Sequence, residues 1–183
     1  INRAKAKAKA LGRRAEAYLN TGRLVPDAVT NAMVRQRLYQ ADVRRHGFVL
    51  DGYPRTLTQL SSLRRIGPLP LAIEIALPDR AATHRISGRR TCRCGMVYHV
   101  VYPPPKRPGA TVRCGRRLSI RDDDRPAAIA QRIRIYHRQT RPLTDYFRRQ
   151  GRLITVDGRP RIPAVFADIV RKLRERRRSR AVW

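Results

Sequence analysis

The sequence predicts an α/β chain: a parallel sheet with flanking helices, interrupted by a small β-rich insertion. Three observations carry that prediction. The short, continuously apolar run at residues 47–50 fits a strand buried on both faces, and residues 71–77 and 153–156 give a second and a third strand. Helical periodicity fills the stretches around them, and strands alternating with helices imply parallel pairing. Residues 88–122 lose the helical period and hold instead all three cysteines and the β-rich stretch from Val97 to Tyr102.

In chain order, residues 2–19 are rich in Ala and close on Asn20, Thr21 and Gly22, which reads as a helix with a glycine stop. Asp27 is the expected N-cap of a second helix, with Val29, Met33 and Leu38 as its buried stripe and an end near Ala41. The run at 47–50 leads into Asp51, Gly52, Tyr53 and Pro54, a tight turn at the carboxyl end of a strand, where α/β folds place functional loops. Leu57, Leu60 and Leu63 predict the next helix, and Pro78 stops the strand at 71–77. After the insertion, Asp122, Asp123 and Asp124 precede Pro126, as the helix dipole and the N-terminal proline preference require. The helix that follows carries Ile129, Ile133 and Tyr136 inward. The last helix takes Pro163 in its first turn, turns Val165, Ile169 and Leu173 inward, and runs into residues 171–180, of which seven are basic.

Composition narrows the partners. With 42 Lys and Arg against 13 Asp and Glu, the 183 residues carry a formal charge of +29, so a polyanion is expected. Lysine stands only at Lys5, Lys7, Lys9, Lys106 and Lys172; the rest is arginine, which forks onto phosphates and stacks on bases. That leans toward RNA. At 42% apolar residues a core is within reach, and no apolar run approaches the roughly 20 residues that cross a bilayer. The expectation is no membrane partner. With no recognition-helix or zinc-finger pattern, no DNA partner is expected either. Three cysteines, Cys92, Cys94 and Cys114, argue against a secreted disulfide framework and for a reducing compartment or a metal knuckle.

The segment Gly47-Phe48-Val49-Leu50-Asp51-Gly52-Tyr53-Pro54-Arg55-Thr56, followed by Gln59, resembles the signature of the adenylate kinases. The likeness continues in collinear order through Gly88-Arg89-Arg90, Val97-Tyr98-His99, Arg121 with Asp123-Asp124, Arg132, Tyr136-His137, Pro142-Leu143 and Val156-Asp157-Gly158. The resemblance implies a P-loop-kinase-like parallel sheet whose inserted subdomain is a lid. It implies Arg55 on the AMP phosphate, Gln59 on the adenine edge, Asp51 near magnesium and Arg85 near the ATP base. Arg89, Arg121 and Arg132 match the arginines that close over the transferring phosphoryl group. Convergent arginines suit that chemistry, which is mostly positioning and charge neutralisation.

The sequence also departs from the pattern. No G-x-x-x-x-G-K-[ST] occurs in these residues, so the loop that cradles the ATP phosphates is missing, and with it the first strand, which the family places mid-sheet. Ile1 in place of Met reads as a processed or incomplete product, with the N-terminus missing or replaced. Some relatives carry a four-ligand zinc knuckle in the lid. Here Cys92-Arg93-Cys94 is compressed and the second pair is Thr111 with Cys114, so three thiols plus Thr111 or His99 are the candidate zinc donors.

The expected organisation is an adenylate-kinase-like core at 1–87 and 123–183, with 1–25 a remnant of the AMP-binding part, a lid-like insertion at 88–122 and a basic extension at 171–183. The favoured functional expectation is a non-catalytic, pseudoenzyme subunit of a ribonucleoprotein, the mitochondrial ribosome, with rRNA and ribosomal proteins as partners. Its RNA-contacting residues are Lys5, Lys7, Lys9, Arg13 and Arg14 at one end, and Arg171, Lys172, Arg174, Arg176, Arg177, Arg178 and Arg180 at the other. The competing expectation is an adenylate kinase, turning ATP and AMP into two ADP with magnesium, whose phosphate-loop segment lies outside this sequence.

Overall fold

A computed structural model describes residues 11–13, 15, 25–102 and 114–180, and it divides into two units. The first comprises residues 1–70 with 139–146; the second comprises 71–138 with 147–183.

In the first unit, residues 11–13 and 15 are helical, and α1 (Asp27–Leu38), α2 (Ala41–His46) and α3 (Leu57–Arg64) follow. Val29 and Met33 of α1 close on Ala15, while Leu38, Val43 and Leu63 form a second cluster edged by Leu50, Tyr53 and Leu69. The predicted stripe of α1 is therefore its buried face. Pro26, rather than Asp27, caps the helix; Asp27 is its first residue, free to use its carboxylate elsewhere. The expected single helix to Ala41 ends at Leu38, and α2 starts anew after Gln40. The cap of α3 is Thr56, whose hydroxyl oxygen accepts the Gln59 amide N–H at 3.1 Å.

The strand expected at 47–50 does not form. Gly47 sits at φ +77°, Val49 is 95% exposed, and among the described residues nothing pairs with this segment. An apolar run becomes a buried strand only where neighbours supply ladder partners on its edges.

The second unit is built on β1 (Ala72–Ala76) and β4 (Leu153–Asp157), paired in parallel with Ile73 opposite Ile154 and Ile75 opposite Val156. The α/β class with a parallel sheet and flanking helices is thus present among the described residues, and no G-x-x-x-x-G-K-[ST] occurs in the sequence. Between those strands come α4 (Asp79–Ser87) and the antiparallel β2 (Arg89–Thr91) and β3 (Val97–His99), then a 3₁₀ turn (Asp122–Asp124), α5 (Pro126–Ile135) and a π turn (Tyr136–Thr140). Helix α6 (Arg141–Arg149) leads back to β4, and α7 (Ile162–Arg180) ends the described chain. Pro126 stands at the first position of α5, as anticipated, and Ile129 is buried. Tyr136 and Leu173 are corrections. Both were expected inside and both are exposed, Tyr136 because α5 gives way to the π turn there.

Candidate active site

Two constellations of expected site residues form, one in each unit. In the first unit the turn 51–56 bends through Gly52 at φ +72° and a cis Tyr53–Pro54 bond. Gly52 is needed for two reasons. Its φ is one that residues with a Cβ avoid, and a Cβ there would lie 3.0 Å from Arg55 Nη2. Arg55 Nε donates to the Gly52 carbonyl at 2.8 Å, so the guanidinium is folded onto its own turn. The Arg55 backbone N–H donates to Gln59 Oε1 at 2.7 Å, and Thr140 Oγ1 donates to the Arg55 carbonyl at 3.0 Å.

Gln59 is 8% exposed. Its carboxamide is engaged at both ends, because Nε2 donates to Asp27 Oδ1 at 2.6 Å. Tyr53 shores up the same corner by donating to Asn31 Oδ1 at 2.6 Å, and burial followed by the Asp27 charge raises its pKa above the ordinary phenol value. Asp27 and Tyr53 were read from sequence as a cap and a turn residue; their part in holding Gln59 has no local sequence signal. Asp51 is exposed beside this corner in the chain.

In the second unit Arg89, Arg121 and Arg132 come together on two carboxylates. Arg89 grips Asp124 with both arms of its guanidinium, Nε to Oδ2 at 2.7 Å and Nη2 to Oδ1. Asp124 is 2% exposed, so its charge is compensated inside the protein. The Arg89 hydrogen bonds hold its pKa below the ordinary carboxylate value, against the opposing effect of burial and with help from the Arg121 and Arg132 charges. Arg121 clasps Asp123 at 2.9 and 3.1 Å, and Arg132 Nη1 reaches the Asp123 carbonyl at 3.1 Å and Asp124 Oδ1 at 3.5 Å. Three guanidinium groups therefore share two carboxylates. The remaining positive charge, with Arg121 and Arg132 half exposed, suits a phosphoryl group.

Arg85 stands apart from this cluster: its Nη2 donates to the Arg159 carbonyl at 2.9 Å, beside the Asp157–Arg159 pair. His137 meets Asp79 at 2.9 Å; the histidine was noted in sequence only for the motif it belongs to, and its acid partner was not anticipated.

At the β2–β3 hairpin, the ligand atoms of Cys92, Cys94 and Cys114 lie within 4.8 Å of one another. These thiols fit three positions of a zinc site. His99 does not complete it. Its Nδ1 accepts the Val101 and Tyr102 backbone N–H groups at 2.9 and 3.2 Å, and its Nε2 faces Gly88. Thr111, the other expected donor, lies outside the described residues.

The basic residues assigned to RNA divide in three. Lys5, Lys7, Lys9, Arg14 and the side chain of Arg180 lie outside the described residues; Arg13 is exposed. Arg171 pairs with Asp168 and Glu175, Lys172 donates to the Thr155 carbonyl at 2.6 Å, and Arg176 donates to the Gly151 carbonyl. Arg174, Arg177 and Arg178 are exposed. Part of the C-terminal charge expected to contact RNA is therefore used within the second unit.

The adenylate kinase family model matches residues 1–152. A curated adenylate kinase of Moorella thermoacetica is 46% identical over 169 residues, covering 89% of this chain and 77% of the relative. Those of Methanothrix thermoacetophila and Archaeoglobus fulgidus are 39% and 41% identical, covering 89% and 92% of this chain and 78% and 80% of the relatives. These matches overturn the ribosomal reading. Relatives this similar over nine-tenths of the chain are adenylate kinases of bacteria and archaea, and they give no support to a mitochondrial ribosome, to rRNA and ribosomal proteins as partners, or to a pseudoenzyme.

Proposed function

Since the chain belongs to the adenylate kinase family, we propose that its residues serve phosphoryl transfer between ATP and AMP to give two ADP. The observation that carries this reading is the convergence of Arg89, Arg121 and Arg132 over Asp123 and Asp124. In phosphoryl transfer the protein positions the reacting oxygens and stabilises charge that spreads over the moving group. Asp123 and Asp124 hold the three guanidinium groups in place before substrate arrives, so little reorganisation is left for the reaction.

On the nucleotide-monophosphate side, Arg55 would take the AMP phosphate by leaving the Gly52 carbonyl, and Gln59 the adenine edge by exchanging Asp27 for the base. Arg85 is assigned to the ATP side. Magnesium, when bound, neutralises phosphate charge; it needs only one or two protein carboxylates, and the exposed Asp51 is the residue proposed to face it. Zinc would be held by Cys92, Cys94 and Cys114. Residues 88–122 act as the lid-like insertion, with 1–87 and 123–183 as the core. No residue of this sequence is assigned to the ATP phosphate cradle, because no G-x-x-x-x-G-K-[ST] occurs in it.

A coupled assay for ADP formation by the full gene product, alongside calorimetric AMP binding by the 183-residue chain, tests the proposal. Turnover that falls in Arg132→Lys, with AMP binding lost in Arg55→Ala, supports it. Absence of both turnover and AMP binding in the unsubstituted proteins overturns it.

A further inference from the structure

We propose that Asp27 is a positioning residue that sets purine specificity, by fixing which end of the Gln59 amide is nitrogen and which is oxygen. The inference deepens the assignment of Gln59 to the base of the nucleoside monophosphate and rests on it.

Two anchors of opposite kind impose the orientation. The Arg55 backbone N–H, 2.7 Å from Oε1, can only donate, and the Asp27 carboxylate, 2.6 Å from Nε2, accepts. Turning the amide over would set donor against donor at Arg55 and oxygen against carboxylate at Asp27. Neither side chain is free to drift. Gln59 is 8% exposed and its backbone N–H donates to Thr56 Oγ1 at 3.1 Å, while its carbonyl accepts from the Tyr53 hydroxyl at 3.4 Å. Asp27 follows the capping residue Pro26 as the first residue of α1, which leaves its carboxylate to the amide.

An amide nitrogen carries two hydrogens and an amide oxygen two lone pairs, so each end keeps one further hydrogen-bonding position after anchoring. Whether the base takes the hydrogen that Asp27 held or the second one, the order of nitrogen and oxygen along the amide is the same. Donor at Nε2 and acceptor at Oε1 complement a purine whose ring N1 accepts beside a 6-amino group that donates, as in adenine. A 6-oxo purine presents the reverse order, N1–H beside O6. It would meet Nε2 with a donor and Oε1 with an acceptor, and a site left with unpaired buried polar groups rejects such a base.

Asp27→Asn tests this, because asparagine offers Gln59 either a donor or an acceptor, so the amide can turn over at the cost of the Arg55 anchor alone. Calorimetric binding of AMP and of inosine monophosphate, a 6-oxo purine without a 2-amino group, to the 183-residue chain should show the preference for AMP falling about 10-fold. The ratio cancels any effect of the lost charge on the phosphate, which both nucleotides share. Asp27→Ser, whose hydroxyl also donates or accepts, repeats the measurement on a smaller side chain, and circular dichroism establishes that each variant is folded. An unchanged ratio in a folded variant, or equal weakening of both nucleotides as a merely structural role requires, overturns the inference and leaves the phosphoryl-transfer reading standing. Absence of AMP binding by the unsubstituted chain overturns the inference together with the assignment of Gln59.

Discussion

The side-chain amide nitrogen of Gln59 lies 2.6 Å from the Asp27 carboxylate, across 32 residues of sequence, while the other end of the same amide accepts the Arg55 backbone N–H. One buried carboxamide thus joins the first turn of α1 to the turn that carries Arg55. A residue assigned to reading a base is, without one, a structural clasp.

Removing Asp27 should therefore cost stability before it costs recognition. A hydrogen bond to a charged group contributes about 1.5–3 kcal/mol, and Asp27→Ala leaves the buried Gln59 donor unpaired. Urea unfolding should show a loss in that range, with Asp27→Asn recovering part of it.

The Arg89–Asp124 pair sets an acid limit. The folded pKa of Asp124 lies below its unfolded value, so the pair's contribution is fully present above the ordinary carboxylate pKa and is lost as pH falls through the lowered one. Asp124→Asn leaves the partly exposed Arg89 without its anionic partner and should cost about 1.5–3 kcal/mol at neutral pH. The gap between wild type and variant should close as the pH is taken below about 4, measured by denaturant unfolding across pH.

Arg132 should behave differently. Its side chain is 45% exposed, so Arg132→Lys should shift stability by no more than about 0.5 kcal/mol. Loss of one preorganised donor to the moving phosphoryl group should lower kcat of the full gene product about 10²–10³-fold with little change in KM. A large change in KM alone would assign Arg132 to ground-state binding.

Gly88 is a steric requirement. Its backbone at φ −78° would accept alanine, yet a Cβ would stand 2.2 Å from His99 Nε2. Gly88→Ala should cost about 1–3 kcal/mol through overpacking, and adding His99→Ala should return part of it. Thermal melts of the single and double variants check this.

The regular elements were largely legible. Helix α1 with its stripe Val29, Met33 and Leu38, strands β1 and β4, and the Pro126 start of α5 all follow from periodicity and punctuation, which are local properties. The run at 47–50 was misread because its apolar character is local while its pairing is not. Leu173 was misread because helical spacing shows which residues share a face, not whether that face is covered. Arg89, Arg121 and Arg132 were found through the motif, whereas the burial of Asp124 and the bond from Gln59 to Asp27 join residues 35 and 32 positions apart and leave no pattern along the chain. The charge misled most. Counted alone it pointed to RNA, but Lys172 and Arg176 fasten α7 to backbone carbonyls outside it, and Arg171 pairs with two acids of its own helix.

That hold has a chemical peculiarity. Lys172 and Arg176 fasten α7 to the Thr155 and Gly151 carbonyls, acceptors that carry no titratable proton, whereas Arg89 depends on a carboxylate that does. Acid that neutralises Asp124 leaves both carbonyl contacts intact. Acid denaturation should then proceed in order, the hairpin end of the second unit loosening while the terminal helix stays seated on β4.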